Sequence, residues 1–282
     1  STTDSAVQTI TVTKAARPTN LSATPCMVDK TDGTITITNA SKVIQYKKKD
    51  TSDEWADISG SNISDLSSGT YFVRVKANGT ELASESTEVT VDTGYPVWVK
   101  ATQVTSANMS NVFGDNKVTY TPATSDNPAT LTLSGVSFTN DDNTSSGVLY
   151  DILPAGIATT EKLNIVVHGN NIIASTNDCA IRAKKDLTIS GDGSLKLDGY
   201  DNRRAISLDG TSSTLNITRN VEIIATVGYK NGVDSSGSQA EGITIASPNI
   251  SIRDSAKLTA VNNGKNWAIY CEGGLAVDDT AV

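Results

Sequence analysis

Residues 186–199 read DLTISGDGSLKLDG, and the stretch has two readings. Gly191-Asp192-Gly193, with Asp198 close behind, has the short acidic side chains of a metal loop. The same residues would equally serve as the corner where one strand ends and the next begins. Recurrence decides between them. From Ala129 on, related segments return: LNIVV at Leu163, LTIS at Leu187, LNIT at Leu215, ISIR at Ile250 and LAVD at Leu275, spaced 24, 28, 35 and 25 residues apart. A small residue followed by Ile forms a second line, at Ile157, Ile181, Ile206, Ile243 and Ile269. A third line runs NIIAS, SLKLDG, EIIATV and KLTAVN. Three short strands per period, with insertions at one corner, describe coils that bury their apolar face only by stacking on one another.

The fold class that follows is all-β. The chain has 282 residues, enough for two domains or one domain and an extended array. Aromatics are 5% and there are two Met, while Thr, Val, Ile, Ser, Asn and Asp recur throughout. Thr, Val and Ile suit a pleated, half-buried surface, and Asn, Asp, Gly and Ser make corners. Residues 95–282 are expected to form a right-handed parallel β-helix, with its hand set by the general rule for parallel crossovers.

Stacking places side chains in columns. Ile157, Ile181, Ile206, Ile243 and Ile269 are expected to form one inward ladder, and Leu163, Leu187, Leu215, Ile250 and Leu275 another. Two residues after the first ladder come Thr159, Ala183, Leu208, Ile245 and Cys271, so Cys271 is expected to be buried. Two residues before it come Ala155, Cys179, Arg204, Glu241 and Trp267, a mixed set expected at a rim. Cys179 and Cys271 then sit three coils apart, about 14 Å at one strand spacing per coil. That is too far for a disulfide, and free thiols are expected. Asn170, Asp192, Asn220 and Asp254 fall near one corner, where Asn and Asp tolerate left-handed geometry. A calcium ion needs 6–8 converging oxygens. With Asn alternating with Asp and no complete calcium-loop motif, the corner is read as structural. A structural calcium at Asp192 and Asp198 is the alternative, and no other cofactor is expected.

The first part of the chain has a different pattern. GTITIT (Gly33 to Thr38) and TYFVRVKA (Thr70 to Ala77) alternate apolar and polar residues, the period-2 signature of strands with one face inward. Turn-rich segments such as KTDG and DLSSG separate them at spacings suited to a small sandwich. Trp55 and Tyr46 are the bulky candidates for its core. SAVQTITVTKAARPTNL at Ser5 parallels SESTEVTVDTGYPV at Ser84, so Ala6 to Thr13 is read as the last strand of a preceding repeat or a strand borrowed into this one. The divisions expected are residues 1–14 as trailing strand or linker, 15–93 as the sandwich and 95–282 as the coils.

Charge and composition exclude several functions. The net charge is −8, which argues against nucleic acid, whose binding depends on basic side chains displacing counterions. No apolar run approaches the ~18 residues of a membrane span, and Ser1 begins no signal peptide; the chain is expected to be the mature or trimmed form of an exported protein. Three Cys make no disulfide framework. The single histidine, His168, lies in VVHGNN, a polar corner, so a zinc site has too few ligands. A Ser-His-Asp triad would have to pass through it, and no nucleophile motif is present.

A ligand is expected at the insertions that leave the third-line corner: DGYDNRRA (Asp198 to Ala205), VGYKNGVDSSGSQAEG (Val227 to Gly242) and NNGKNWA (Asn262 to Ala268). Each joins an aromatic to Asn and a basic residue: Tyr200 with Asn202 and Arg203, Tyr229 with Lys230 and Asn231, Trp267 with Lys265 and Asn266. Per-repeat insertions of solenoids map to one face, often the binding face. A flat ring suits the C–H face of a sugar, and Asn, Arg and Lys satisfy hydroxyls or carboxylates; the alternative is that the rings fold back over the coils. Catalysis is not expected. Glycoside hydrolysis needs two carboxylates flanking the bond, and Arg203-Arg204 beside Asp198, Asp201 and Asp209 are not singled out among the many turn Asp residues. A polysaccharide lyase or hydrolase acting on acidic glycans is the first alternative, and a structural stalk or adhesin scaffold the second. CEGGLAVDDTAV stops partway round a coil, so either further coils or end-to-end association through the uncapped coil is expected.

Two resemblances add to this. RPTNLSATP, DGTITIT, VIQYKKKD, the following Trp and LSSGTYFVRVKA resemble the Ig/fibronectin-III-like repeats of Gram-positive cell-surface proteins over roughly residues 15–92. That implies a spacer or presentation module. The stretch from Val97 to Asn140, with Trp98-Val99, TQVTSAN, Gly114-Asp115, Val118-Thr119-Tyr120 and TLTLSG, resembles a recurrent opening in surface proteins of gut Firmicutes. The coils that follow are similar to the clostridial carbohydrate-binding β-helix family, which implies a pectate-lyase-like solenoid. The resemblance covers about residues 95–282 and carries no catalytic motif, and the long third-corner loops depart from it, so no metal or sugar ligand is carried over. Together they imply a non-catalytic, secreted or wall-associated protein that binds a glycan or another surface partner.

Overall fold

The computed structural model describes residues 11–38, 42–58, 60–141, 155–199, 204–227, 244–263 and 266–278. Every regular element among them is a β-strand, as the composition led one to expect, and no helix is long and apolar enough to cross a membrane. The chain divides into two units, Ser1–Gly94 and Tyr95–Val282.

In the first unit, strands Thr87–Val91, Gly69–Val75, Ile44–Lys48 and Ala56–Ile58 form one antiparallel sheet in that order. Leu21–Thr24, Gly33–Ile37 and Asn62–Leu66 form a second. Alternation sends Tyr71, Val73 and Val75 inward from one sheet and Ile35, Ile37 and Ile63 from the other, and they meet in a single apolar cluster. Thr13–Lys14 pairs parallel with Glu81–Leu82. Tyr46 packs against the cluster, 6.5 Å from Tyr71 between ring centroids. Trp55 does not. Ile58 packs against the cluster, so period-2 alternation turns Trp55 and Asp57 to the outer face, where Trp55 is half-buried beneath Arg74.

In the second unit, from Ala129 on, the chain visits three parallel sheets in a fixed cyclic order. One contains Ala129–Ser134, Leu163–His168, Leu187–Gly191, Thr214–Ile217, Asn249–Ile252 and Gly274–Val277. The next contains Ser137–Asn140, Asn170–Ser175, Ser194–Gly199, Glu222–Val227 and Lys257–Asn262. The third contains Ile157–Thr159, Ile181–Ala183, Ile206–Leu208, Ile245–Ala246 and Ile269–Tyr270. Two antiparallel strands flank these: Val118–Thr121 against Ala129–Ser134, and Thr93–Val99 against Ile157–Thr159.

The Leu163, Leu187, Leu215, Ile250, Leu275 ladder pairs rung for rung. The Ile ladder needs one correction. Its fourth rung is Ile245, opposite Ile206 and Ile269, while Ile243 and Glu241 lie outside the described residues. Cys271 is half-exposed, not buried, because its strand Ile269–Tyr270 pairs on one side only among the described residues. Leu275 and Val277 on Gly274–Val277 are likewise more than half exposed. All three cysteines are free thiols; burial pushes the Cys179 thiol up to about 12, with the adjacent Asp178 carboxylate adding to the shift.

The corner at SGDGSL is built by glycine and backbone. Gly191 has φ 135°, and Arg219 and Asp254, at the same register in the next two coils, have φ 66° and 60°. Val167 carbonyl oxygen accepts from both Asp192 and Gly193 N–H at 3.1 Å. Asp192 stands opposite His168, and Asn170 opposite Ser194, so Asn170 is the first residue of the next strand and no part of this column. Its neighbour Asn171 is the buried one. The Asn171 side chain donates to the carbonyls of His168, Gly169 and Ser194 at 3.0–3.3 Å and accepts from Val136 N–H at 2.9 Å.

Candidate functional site

Of the nine residues expected to contact a ligand, Asn266 and Trp267 are among the described residues. Tyr200, Asn202, Arg203, Tyr229, Lys230, Asn231 and Lys265 lie outside them, and so do most of the three insertions.

Trp267 is 61% exposed. Its backbone is pinned: the N–H donates to Asn266 Oδ1 at 2.9 Å, and the carbonyl accepts from Asn262 Nδ2 at 3.0 Å and from Thr244 N–H at 3.3 Å. The indole stacks on Tyr270 with ring centroids 5.4 Å apart and planes 8° apart. Rings so nearly parallel at that distance are offset, which the aromatic quadrupole favours. Among the described residues the indole N–H meets no acceptor.

Tyr270 was not among the sequence candidates. It occupies the outward position of the third sheet, in a column with Ala158, Arg182, Ser207 and Ala246. A large aromatic in an outward column otherwise filled by small residues and one Arg is the signal that could have found it. Its hydroxyl donates to Glu272 Oε1 at 2.5 Å, and that carboxylate raises the phenol above its ordinary pKa. The pair therefore presents an apolar aromatic surface edged by a free N–H donor and a carboxylate. It can hold the C–H face of a ring-shaped, hydroxylated ligand.

A second grouping lies at the SGDGSL corner. His168, Gly191, Asp192, Arg219, Asn220 and Asp254 line a shallow cleft of about 390 Å³. His168 Nδ1 lies 2.6 Å from Asp192 Oδ1, and this contact holds the Asp192 carboxyl below its usual range. Asp254 accepts from Thr218 Oγ1 and from Arg219 N–H at 2.8 Å, which lowers its pKa as well. Asp198 faces Lys196 at 3.4 Å. No three His, Cys, Asp or Glu side chains among the described residues are grouped to hold a metal ion, and Asp192 and Asp198 each stand against a basic side chain of their own.

Of the segment behind the enzymatic alternative, Arg204 and Asp209 are described, and both are bonded internally. Arg204 Nη1 donates to Ser207 Oγ, Ser207 Oγ to Asp209 Oδ1, and Arg182 Nη1 to Asp178 Oδ2, all at 2.8 Å; Arg182 Nε donates to Asp209 Oδ2 at 2.9 Å. Asp178 is buried, and among the described residues its Oδ1 has no hydrogen-bond partner. Asp178, Arg182 and Ser207 were not anticipated from the sequence. Asp201 and Arg203 lie outside the described residues. No family model, curated protein or solved structure matches this chain.

Proposed function

We propose that the chain is a non-catalytic, extracellular, cell-surface protein that binds carbohydrate: an Ig/fibronectin-III-like sandwich followed by a right-handed parallel β-helix. The cyclic visiting of three parallel sheets supports the β-helix reading, because stacked coils are the arrangement that pairs each strand with its counterpart one period on. Two antiparallel sheets sharing one core support the sandwich reading.

The observation that carries the binding function is the exposed Trp267 stacked on Tyr270 with a free indole N–H. Leaving so large an apolar group in water forgoes part of the ~1.5–3 kcal/mol that burying a side chain of this kind contributes. A ring held by three backbone contacts and a stacked partner is also preorganised, which lowers the entropic cost of binding.

The test is affinity electrophoresis and calorimetry against neutral polysaccharides: xylan, β-glucan, mannan and chitin oligomers. Trp267→Ala and Tyr270→Ala are each expected to weaken binding about tenfold or more, as for a stacking hot spot. Tyr270→Phe keeps the ring and is expected to retain most of it. Absence of binding across the panel, or binding indifferent to both alanine variants, overturns the reading.

A further inference from the structure

The outer face of the four-stranded sheet in the first unit is basic and aromatic. On Gly69–Val75, Thr70, Phe72 and Arg74 alternate with the buried Tyr71, Val73 and Val75, and Lys76 follows. On the neighbouring strand Ile44–Lys48, Gln45 stands opposite Arg74 and Lys47 opposite Phe72, with Lys49 just beyond. Trp55, leading into the edge strand, completes the face. The Arg74 guanidinium carbon lies 3.8 Å from the Trp55 ring centroid, and Lys47 Nζ lies 5.5 Å from it. Lys49 Nζ lies 5.6 Å from the Phe72 centroid.

The outer cations have carboxylate partners. Lys49 bridges Glu88 at 3.0 Å, and Lys76 bridges Asp57. The two central ones do not. Arg74 donates its Nε to Gln45 Oε1 at 3.0 Å, and neither it nor Lys47 pairs with a carboxylate among the described residues. The chain carries an excess of eight negative charges. Two positive groups held side by side over one indole without neutralisation are therefore conspicuous, because their mutual repulsion must be offset by the ring. A guanidinium over an aromatic ring keeps its remaining N–H donors in the fork that matches a carboxylate or sulfate, and among the described residues Arg74 commits only its Nε.

We propose that Lys47, Arg74 and Trp55 form an anion site that takes a carboxylate- or sulfate-bearing sugar of an acidic polysaccharide. The first unit would then be a binding module in its own right, whatever the second unit binds. The size of the site favours a saccharide over nucleic acid. Neutralising a duplex takes about 6–10 phosphate contacts in proteins with strong salt dependence, and two unpaired cations on an acidic chain fall well short. A single acidic sugar needs one anion contact, and Phe72, opposite Lys47, lies beside it for the ring.

The experiment uses the full chain with three probes: polygalacturonate for carboxylate, dextran sulfate for sulfate, and neutral dextran. Binding to at least one charged polymer and not to dextran is expected, weakening as salt rises. Lys47→Gln with Arg74→Gln should weaken it about tenfold or more, in line with loss of a charge-assisted pair. Lys47→Gln alone, which leaves the Arg74–Trp55 stack in place, should weaken it less, and Arg74→Lys should weaken it by loss of the fork. Lys117→Gln with Lys257→Gln makes the same net-charge change elsewhere and should leave binding nearly unaltered. Failure to bind either charged polymer, equal losses in the two double variants, or tighter binding of double-stranded DNA through Lys47 and Arg74 overturns the proposal.

Discussion

Replacing Gly191 by alanine should be among the most damaging single changes in the second unit, for two separable reasons. The backbone there has φ 135°, which side chains with a Cβ rarely adopt. A Cβ would also stand 2.1 Å from Val167 O and 2.7 Å from Val167 N, in the coil stacked against it. That oxygen accepts the N–H groups of both Asp192 and Gly193, so moving it away weakens two hydrogen bonds. Strain of about 1–3 kcal/mol and two hydrogen bonds at about 1 kcal/mol each total roughly 3–5 kcal/mol. For a domain of this size each kcal/mol lowers Tm by about 2–4 °C, so the expected loss is roughly 6–20 °C. Circular dichroism, by heating and by urea titration, reads it directly. Two controls separate the causes. Gly114 also has positive φ, 79°, but nothing lies within 4 Å of its would-be Cβ, so Gly114→Ala should cost only the backbone share, about 1–2 kcal/mol. Arg219 holds φ 66° at the register of Gly191, so Arg219→Gly should be neutral or stabilising by up to about 1 kcal/mol. If Gly191→Ala unfolds within about 1 kcal/mol of the parent, the close approach of the two coils is wrong, and the corner reading with it.

Three further outcomes follow from the same geometry. Arg182→Leu leaves Asp178, only 4% exposed in its side chain, without its cation and should cost about 2–4 kcal/mol in urea unfolding; adding Asp178→Asn should recover part of that, and no recovery would mean that lost packing, not charge, is responsible. Asp186 accepts from Lys162 Nζ at 2.8 Å and from Thr214 N–H at 3.0 Å, and both contacts, Lys162 foremost, lower its pKa. Its contribution is therefore present above its unfolded pKa of ~3.9 and disappears as pH falls through the lower folded value. Asp186→Asn should be less stable at pH 7 by under about 1 kcal/mol, because the ion pair is partly exposed, and the gap should close in acid below about pH 4. Calcium at about 5 mM, above the range in which extracellular modules saturate, should leave Tm unchanged relative to chelator; a reproducible rise would restore the calcium reading of Asp192 and Asp198.

The three-strand period was legible because the core of each coil is filled by the same residue types at the same place. The Leu163 line could be read without error, since each Leu or Ile is the first or second residue of its strand. The Ile line failed in one coil for a definable reason. In GITIA, Ile243 and Ile245 are two residues apart and so face the same side of a strand. The spacing to the next ladder does not separate them. Ile157 to Leu163, Ile181 to Leu187 and Ile269 to Leu275 are six residues, while Ile245 to Ile250 is five and Ile243 to Ile250 would be seven. Only the hydrogen bonds of neighbouring coils, Ile206 opposite Ile245 and Ile245 opposite Ile269, choose between them.

The same limit governs the corner and the site. Asn170 and Asn171 are identical in type, and which one turns inward depends on strand register. The inward one bonds three carbonyls, two in its own turn and one in the next coil, while the outward one merely accepts from Ser194 Oγ at 3.0 Å. Trp267 can be picked out as a loop aromatic, whereas Tyr270 shows itself only as a large aromatic in the outward column of the third sheet, and its stacking on Trp267 only in the structure. Trp55 was assigned to a core on size alone, and alternation against Ile58 turns it out. A solenoid repeats its inward positions under a constant packing demand, so these are readable from one chain. Its outward positions answer only to what each coil meets outside, and there register has to be known before chemistry can be assigned. This is why SGDGSL yields to comparison with its neighbours, whereas Trp267 with Tyr270, and Lys47 with Arg74 over Trp55, emerge only once the strands are paired.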